Sequence, residues 1–280
     1  MKLVRYGTAG AEKPGLLDAQ GALRDLSGVL DDVADDALTA AGLARLQALR
    51  PADLPRVAGS PRLGPPVARV GKIVCVGLNY ADHARESGQP VPTQPVIFMK
   101  STTAIVGAFD DVVIPAGSRK TDWEVELGVV IGDTARSVAP ADAFAHVAGY
   151  LVVNDVSERA FQFDHGGQWV KGKGCDTFAP LGPWLVTRDE VRDPQDLGLW
   201  LEVNGHRYQD GTTRTMIFDV ATLVSHISRY MTLAPGDVIS TGTPPGVGLG
   251  QQPPVYLRAG DVMELGVAGL GRQRQRVVAA

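Results

Sequence analysis

Several features that mark other classes of protein are scarce in this chain of 280 residues. It has two cysteines, Cys75 and Cys175, which are far from any CxxC spacing, so we expect free thiols in a reducing cytoplasm. No apolar run reaches the length of about 18 residues that a transmembrane helix needs. The first residues also lack the apolar stretch of a secretory signal, so a membrane or exported location is not expected.

Charge of one sign is scarce as well, because 27 basic residues oppose 31 acidic ones and leave a formal net charge of −4. This weak acidity gives no reason to expect nucleic acid or an anionic membrane as a partner. Turn-forming residues, by contrast, are plentiful, with 33 glycines and 19 prolines. Many turns favour a strand-rich fold over a helix bundle.

The length suits one large domain, or one domain with a small appendage. Residues 59–66 combine glycines with Pro61, Pro65 and Pro66, a composition that is typical of a linker. We therefore predict a small N-terminal domain at residues 1–68 and a main domain at residues 69–280.

The predicted elements indicate a mixed fold. Four short apolar or alternating segments predict strands, at residues 72–78, 96–100, 124–131 and 148–155. An apolar stripe predicts a helix over residues 219–233, Asn204-Gly205 predicts a hairpin turn, and residues 255–258 predict another strand. Strands outnumber helices and do not alternate with them regularly. An α+β fold with a curled mixed sheet is therefore favoured over a doubly wound parallel sheet.

Three carboxylates form the most informative pattern in the sequence. Glu124 and Glu126 alternate along the segment EVELGVVI, so both point to one face of the predicted strand. Asp155 follows the next apolar strand, where a core strand meets a cleft. An all-oxygen ligand set suits Mg²⁺, Mn²⁺ or Ca²⁺ rather than Zn²⁺, and it leaves about three positions for water or substrate. The alternatives are a wet acidic face on a surface strand and, for Asp155, an ordinary cap.

Candidate acid–base groups lie outside this cluster. His83 and Glu86 are three residues apart on a short predicted helix, where they either activate a water or form an incidental surface pair. Lys171 and Lys173 lie between glycines, either as solvated loop charges or as donors to a developing oxyanion. The turn TGTPPGVG at residues 241–248 lacks the lysine and the following helix of a phosphate loop, and its N–H and hydroxyl groups suit a carboxylate.

Five motifs occur in order along the chain: NYADHARE, DWEVELG, NDVSER, KGKGCDTF and TGTPPGVG. From about residue 72 to about residue 270 this series resembles the fumarylacetoacetate hydrolase family. The preceding segment is similar to the small leading domain of some bacterial members. The resemblance implies a curled, mixed β-roll core in the main domain and a homodimer or a dimer of dimers.

The resemblance also implies a role for individual residues. The implied residues are the metal ligands Glu124, Glu126 and Asp155, the catalytic dyad His83 and Glu86, the substrate-polarising Arg159, Gln162 and Lys173, and the substrate contact Thr243. Lys173 is preferred to Lys171 because it directly precedes the segment GCDTF.

Within the family, the chain is most similar to bacterial enzymes that hydrolyse 2,4-dioxo-3-deoxy sugar acids. The resemblance therefore implies a Mg²⁺-dependent hydrolase, with Mn²⁺ as the alternative ion, that cleaves the C3–C4 bond of a small oxo acid to give pyruvate and a hydroxy acid. The alternatives are an oxaloacetate decarboxylase, a dienoate hydratase, an isomerase, a ureidoglycolate lyase, or a non-catalytic oxo-acid-binding module. Specificity for the acyl group is expected in residues 160–170.

Overall fold

A computed structural model describes residues 1–86 and 88–280. The helices of these residues are α1 (Ala40–Gln47), α2 (Ala81–Glu86), α3 (Arg159–Phe163), α4 (Val170–Lys173) and α5 (Val220–Tyr230). The strands are β1 (Lys2–Tyr6), β2 (Lys13–Leu17), β3 (Leu23–Asp25), β4 (Ile73–Gly77), β5 (Val96–Lys100), β6 (Ile105–Gly107), β7 (Val112–Ile114), β8 (Thr121–Asp122), β9 (Val125–Ile131), β10 (Val147–Asn154), β11 (Ser157–Glu158), β12 (Ala179–Thr187), β13 (Gly198–Val203), β14 (His206–Thr212), β15 (Val238–Ser240), β16 (Val262–Val267) and β17 (Gly271–Ala279).

A large mixed sheet forms the centre of the molecule. Its strand order is β3-β2-β1-β12-β10-β9-β15-β4-β5, and β6 pairs with β12. A second sheet has the order β14-β13-β16-β17-β7, and β8 and β11 form a short pair. Parallel and antiparallel pairs occur in the same sheet, since β15 is parallel to β4 and antiparallel to β9. The predicted α+β fold with a strand-rich core is confirmed.

The antiparallel strands β9 and β10 lie at the middle of the large sheet and are buried along their whole length. Both faces of these strands are covered, which explains why their sequences are almost continuously apolar. Any polar side chain at their ends is therefore held by a rigid, water-excluding scaffold.

The N-terminal segment extends the large sheet. Strand β1 is antiparallel to β12, with Lys2 opposite Val186 and Leu3 opposite Leu185. The sheet thus runs across residue 68, and the division into domains at residues 1–68 and 69–280 stays a prediction.

Local predictions had mixed outcomes. The predicted helix is α5, which Asp219 caps by accepting a hydrogen bond from the N–H of Thr222 at 2.7 Å. Asn204 and Gly205 join β13 to β14 with φ angles of 53° and 78°, as a tight hairpin turn requires. The predicted strand at residues 255–258 is wrong, because Val255 and Leu257 donate to two separate segments, at Gly248 and Thr121, and form no ladder.

Within residues 1–86 and 88–280, no helix has both the length and the apolar character needed to cross a membrane.

Candidate active site

The sheet register brings the three predicted carboxylates together. Glu124 directly precedes β9, Glu126 lies within it, and Asp155 directly follows β10. Asn154 pairs with Val125, and the N–H of Asp155 donates to the carbonyl of Glu124 at 2.9 Å. One oxygen from each carboxylate lies within 4.8 Å of the others. Their exposed fractions are 5%, 2% and 0%, so the alternative of a wet acidic surface is wrong.

Buried cations surround the cluster. The Nζ of Lys100 donates to Oδ1 of Asp155 at 2.5 Å, and the Nζ of Lys173 donates to Oδ2 of Asp155 at 2.9 Å and to Oε2 of Glu124 at 2.7 Å. The Nη2 of Arg159 donates to Oε1 of Glu124 at 2.6 Å. Glu124 and Asp155 therefore each contact cations directly. Glu126 instead accepts hydrogen bonds at Oε2 from the Ser240 hydroxyl at 2.5 Å and the Gly242 N–H at 2.9 Å.

The pKa values follow this unequal distribution of charge. Burial raises the pKa of Glu126 well above its ordinary value, and the negative charges of Asp155 and Glu124 raise it further. Burial also acts to raise the pKa of Glu124, but the positive charges of Lys173 and Arg159 outweigh it and lower that pKa to about 2. Glu126 is thus the carboxylate whose negative charge is least compensated by the protein.

The donor set fits a divalent cation. Asp122 also pairs with Arg159, so four buried carboxylates, counting Glu124, Glu126 and Asp155, face the three cations Lys100, Lys173 and Arg159. The excess negative charge and the all-oxygen chemistry suit Mg²⁺ or Mn²⁺. In the described residues the recorded hydrogen bonds of Glu126 go to Oε2, which leaves Oε1 available as a ligand.

Helix α2 carries the predicted dyad. The Nδ1 of buried His83 lies 3.2 Å from Oε2 of Glu86. The N–H of Gly246 donates to both oxygens of Glu86, at 2.9 and 3.1 Å. With Nδ1 as the donor to Glu86, the Nε2 of His83 is the nitrogen that can accept a proton. The TGTPPGVG turn therefore orients the carboxylate of the dyad.

Gly250 supplies the space for this carboxylate. A Cβ at Gly250 would collide with the carboxyl carbon and Cγ of Glu86, whereas a Cβ at Gly198 would meet nothing within 4 Å. We expect Gly250→Ala to displace Glu86 and lower kcat by about 10- to 100-fold, because misplaced catalytic groups cost that much. Steady-state kinetics with Gly198→Ala as the matched control measure the effect. Unchanged kcat in Gly250→Ala would contradict a role for Glu86 in orienting His83.

Arg159 and Gln162 are joined on helix α3. The Nη1 of Arg159 donates to Oε1 of Gln162 at 3.0 Å, and its Nε donates to Oδ2 of Asp122 at 2.8 Å. Asp122 in turn accepts from the N–H groups of Gly248 and Leu249, at 2.6 and 2.9 Å. The guanidinium is therefore fixed on both sides, and a lysine could not reproduce its fork of donors.

These groups border one cavity of about 410 Å³. The residues that line it are Val76, Gly77, Leu78, His83, Gln89, Phe98, Glu124, Glu126, Arg159, Gln162, Phe163, Trp169, Lys173, Thr243 and Leu249. Thr243 donates its hydroxyl to the carbonyl of Val125 at 2.9 Å and accepts from Gln209 at 2.7 Å. Two further site residues contact this lining: Glu86 is paired with the lining residue His83, and Asp155 accepts a hydrogen bond from the lining residue Lys173.

Sequence reasoning missed several supporting residues. Lys100, Asp122 and Ser240 contact the predicted site residues directly. Lys100 ends an apolar strand and Asp122 begins the DWEVELG motif, so their positions in the sequence indicated weakly that these two residues belong to the site. Nothing in the sequence marked Ser240. Lys171, which was not preferred, has its Nζ on the carbonyl of His165 and is exposed.

The strand-rich fold encloses a cavity lined by buried carboxylates, a histidine and buried cations, an arrangement typical of an enzyme active site. The family model "Fumarylacetoacetate (FAA) hydrolase C-terminal" matches residues 72–278. The chain belongs to the fumarylacetoacetate hydrolase family.

The similarity to relatives and to solved structures extends over the whole chain. A relative from Burkholderia multivorans is named as a hydrolase, and its name gives no substrate. It is 63% identical over 281 residues, and the match covers 100% of each chain. The fumarylacetoacetate hydrolase of Exiguobacterium antarcticum is 37% identical, with 100% of each chain covered and a TM-score of 0.86. A maleylpyruvate hydrolase from Sphingobium sp. SYK-6, solved with manganese(II) and pyruvate, is 30% identical, with 100% of each chain covered and a TM-score of 0.83.

Proposed function

We propose that the chain is a divalent-metal-dependent hydrolase that cleaves the C3–C4 bond of a 2,4-dioxo acid, an acylpyruvate, to pyruvate and a second acid. The observation that carries this proposal is that one cavity is lined by metal-type carboxylates, Glu124 and Glu126, and by the base His83. Chelation alone needs no base. The manganese and pyruvate bound to the Sphingobium enzyme support a site for an oxo acid on a metal.

Glu124, Glu126 and Asp155 would hold the cation. When bound, a divalent cation supplies a Lewis acid for the C1 carboxylate and C2 oxo group of the substrate. Mg²⁺ and Mn²⁺ share these ligand preferences, so either ion suits the site. The residues of the chain then have two tasks: to move a proton and to stabilise an oxyanion.

His83 is placed to move the proton. Glu86 accepts the Nδ1–H, so Nε2 takes a proton from a water that attacks the C4 carbonyl. The C3–C4 bond then breaks, its electron pair stays on C3 as the pyruvate enolate, and C4 leaves as a carboxylic acid. The proton on His83 is available to C3, so the reaction consumes one water and yields pyruvate and the acid.

Lys173 and Arg159 are placed to stabilise the oxyanion at C4. The ammonium of Lys173 has three N–H donors, and its hydrogen bonds to Glu124 and Asp155 use two of them. Arg159 is held by Asp122 and Gln162 with its fork at the same cavity. A donor aimed at a developing oxyanion commonly contributes about 3 to 4 kcal/mol to the stability of the transition state.

The experiment is to supply acetylpyruvate with Mg²⁺ or Mn²⁺ and to measure pyruvate and acetate. We expect equal amounts of both, and at least a roughly 100-fold loss of turnover in EDTA, because the cation contributes several kcal/mol. Equal turnover in chelator would overturn the metal role. A single product from a dienoic acid would favour an isomerase or a hydratase. Release of carbon dioxide from oxaloacetate would favour a decarboxylase, and release of urea would favour a ureidoglycolate lyase.

Three finer expectations stay predictions. A sugar-derived acyl group, a cytoplasmic location and a homodimer or dimer of dimers were all predicted from the sequence or the family resemblance. Tight oxalate binding without turnover of any 2-oxo acid would instead favour a non-catalytic binding module.

A further inference from the structure

An aromatic wall forms one side of the cavity, and the mechanism above does not use it. The wall consists of Phe98, Phe163 and Trp169, all of which line the cavity. The ring centroids of Phe98 and Trp169 are 5.4 Å apart, and those of Phe163 and Trp169 are 6.3 Å apart, both in edge-to-face geometry. Such a cluster presents a continuous apolar surface to whatever fills the space beside it.

The wall adjoins the charged end of the site. Trp169 immediately precedes helix α4, and its carbonyl accepts a hydrogen bond from the N–H of Lys173 at 3.0 Å. The Nζ of Lys173 lies 5.2 Å from the centre of the Phe98 ring. A substrate whose C4 carbonyl reaches Lys173 therefore has its acyl substituent within reach of these rings.

The shape of the wall is fixed from behind. A Cβ at Gly77 would lie 2.6 Å from the Trp169 ring, so only glycine lets the indole lie this close to β4. Val76, Leu78 and Leu249 complete an apolar lining on the same cavity. The volume of about 410 Å³ is near the small end of the range for ligand pockets, which suits an acyl group of modest size.

The cations that line the cavity lie at its metal end. Arg159 and Lys173 pair with Asp122, Glu124 and Asp155 at the metal end. Two amide side chains stand beside the rings: Gln89, which is exposed to solvent, and the buried Gln162, whose Oε1 already accepts from Arg159 at 3.0 Å. Neither is a cation, so a second carboxylate placed against the rings would lose water without gaining a charged partner, and a set of hydroxyl groups would find only these two amides.

We propose, on the basis of the function proposed above, that the acyl group of the substrate is apolar and uncharged, either a flat ring or a short alkyl chain. Phe98, Phe163 and Trp169 determine this specificity. The proposal is an alternative to the sugar-derived acyl group that the family resemblance predicts, and the two are distinguished by the substrates compared below. The proposal also separates the chain from hydrolases whose substrate ends in a second carboxylate, as in the maleylpyruvate of the Sphingobium enzyme's name.

The test compares four substrates with Mn²⁺ present: acetylpyruvate, benzoylpyruvate, a 2,4-dioxo-3-deoxy sugar acid and maleylpyruvate. We expect kcat/KM for benzoylpyruvate to exceed that for acetylpyruvate by about tenfold or more, since one methylene in a hydrophobic pocket already gives about 10-fold or more. The sugar acid and the dicarboxylate are expected to fall below acetylpyruvate. A preference for either polar substrate over both apolar ones would overturn the proposal.

Variants of the wall locate the effect. Trp169→Ala and Trp169→Gln should lower the benzoyl-to-acetyl ratio of kcat/KM by about tenfold. The exposed Tyr230, outside the cavity, gives the control Tyr230→Ala, for which no change in the ratio is expected. An unchanged ratio in both Trp169 variants would contradict the assignment of the wall.

Acetylpyruvate separates the two proposals. If it is cleaved in a chelator-sensitive way, the proposed function holds whatever the acyl preference. If no dioxo acid is cleaved, calorimetry with Mn²⁺-loaded protein still compares the Kd values of benzoylpyruvate and acetylpyruvate. Tighter binding of acetylpyruvate would then refute the assignment of the aromatic wall to the acyl group, independently of the chemistry.

Discussion

His83→Ala is expected to lower kcat on an acylpyruvate by about 10²- to 10⁴-fold, the usual contribution of a positioned general base. The physical reason is the geometry of the dyad, in which Glu86 lies 3.2 Å from Nδ1 and Nε2 is the remaining proton acceptor. Substrate binding should change little, because the carboxylates and Lys173 are intact. Steady-state measurements of kcat and KM separate the two effects.

Two further measurements test whether the loss of activity comes from the missing imidazole of His83. The control His226→Ala removes an imidazole from helix α5, away from the cavity lining, and should leave kcat unchanged. Added imidazole should restore part of the activity of His83→Ala, because the deletion enlarges a cavity that substrate already enters. Wild-type turnover in His83→Ala would exclude His83 as the base.

Glu126→Gln is expected to abolish the stabilisation of the protein by Mn²⁺. In the wild type, an ion at about 100 times its Kd adds about 2.7 kcal/mol, which raises Tm by roughly 5 to 10 °C for a chain of this size. Without metal the variant should be at least as stable as the wild type at neutral pH. Burial and the charges of Asp155 and Glu124 raise the pKa of Glu126, so the ionised form is unfavourable in the fold.

The pH dependence of the same experiment has a definite sign. Because the pKa of Glu126 is raised on folding, its contribution to stability is largest below the ordinary glutamate pKa and is lost as pH rises through the raised value. Without metal, Glu126→Gln should therefore raise the free energy of unfolding above that of the wild type at high pH and not at low pH. Glu264→Gln, a half-buried glutamate paired with Arg274 on the second sheet, is the control. A full Mn²⁺ shift in Glu126→Gln would exclude Glu126 as a ligand.

The carboxylate cluster could be predicted because it depends on local rules. Alternation along a strand places Glu124 and Glu126 on one face, and the end of an apolar strand marks where Asp155 leaves the core. The helix α5 and the Asn204-Gly205 turn follow from similarly short-range patterns. The short spacing of His83 and Glu86 placed both on one face of a short helix but left an incidental surface pair open, and the family resemblance supplied their assignment as a dyad.

Contacts between distant segments could not be predicted in this way. Lys100 meets Asp155 across 55 residues, and Ser240 meets Glu126 across 114, so neither pair leaves a mark in a local window. The strand predicted at residues 255–258 failed for the converse reason. Its composition is strand-like, but its backbone hydrogen bonds go to separate segments instead of one partner strand.

The pairing of β1 with β12 has a consequence for the chain as a whole. Leu3 and Val4 are fully buried, and β1 covers the N–H and C=O groups of β12 at Leu185 and Val186. A chain shortened to the family-matched residues 72–278 would leave this apolar border open to other molecules, and such borders promote aggregation. The first few residues, remote from the cavity, thus close one side of strand β12.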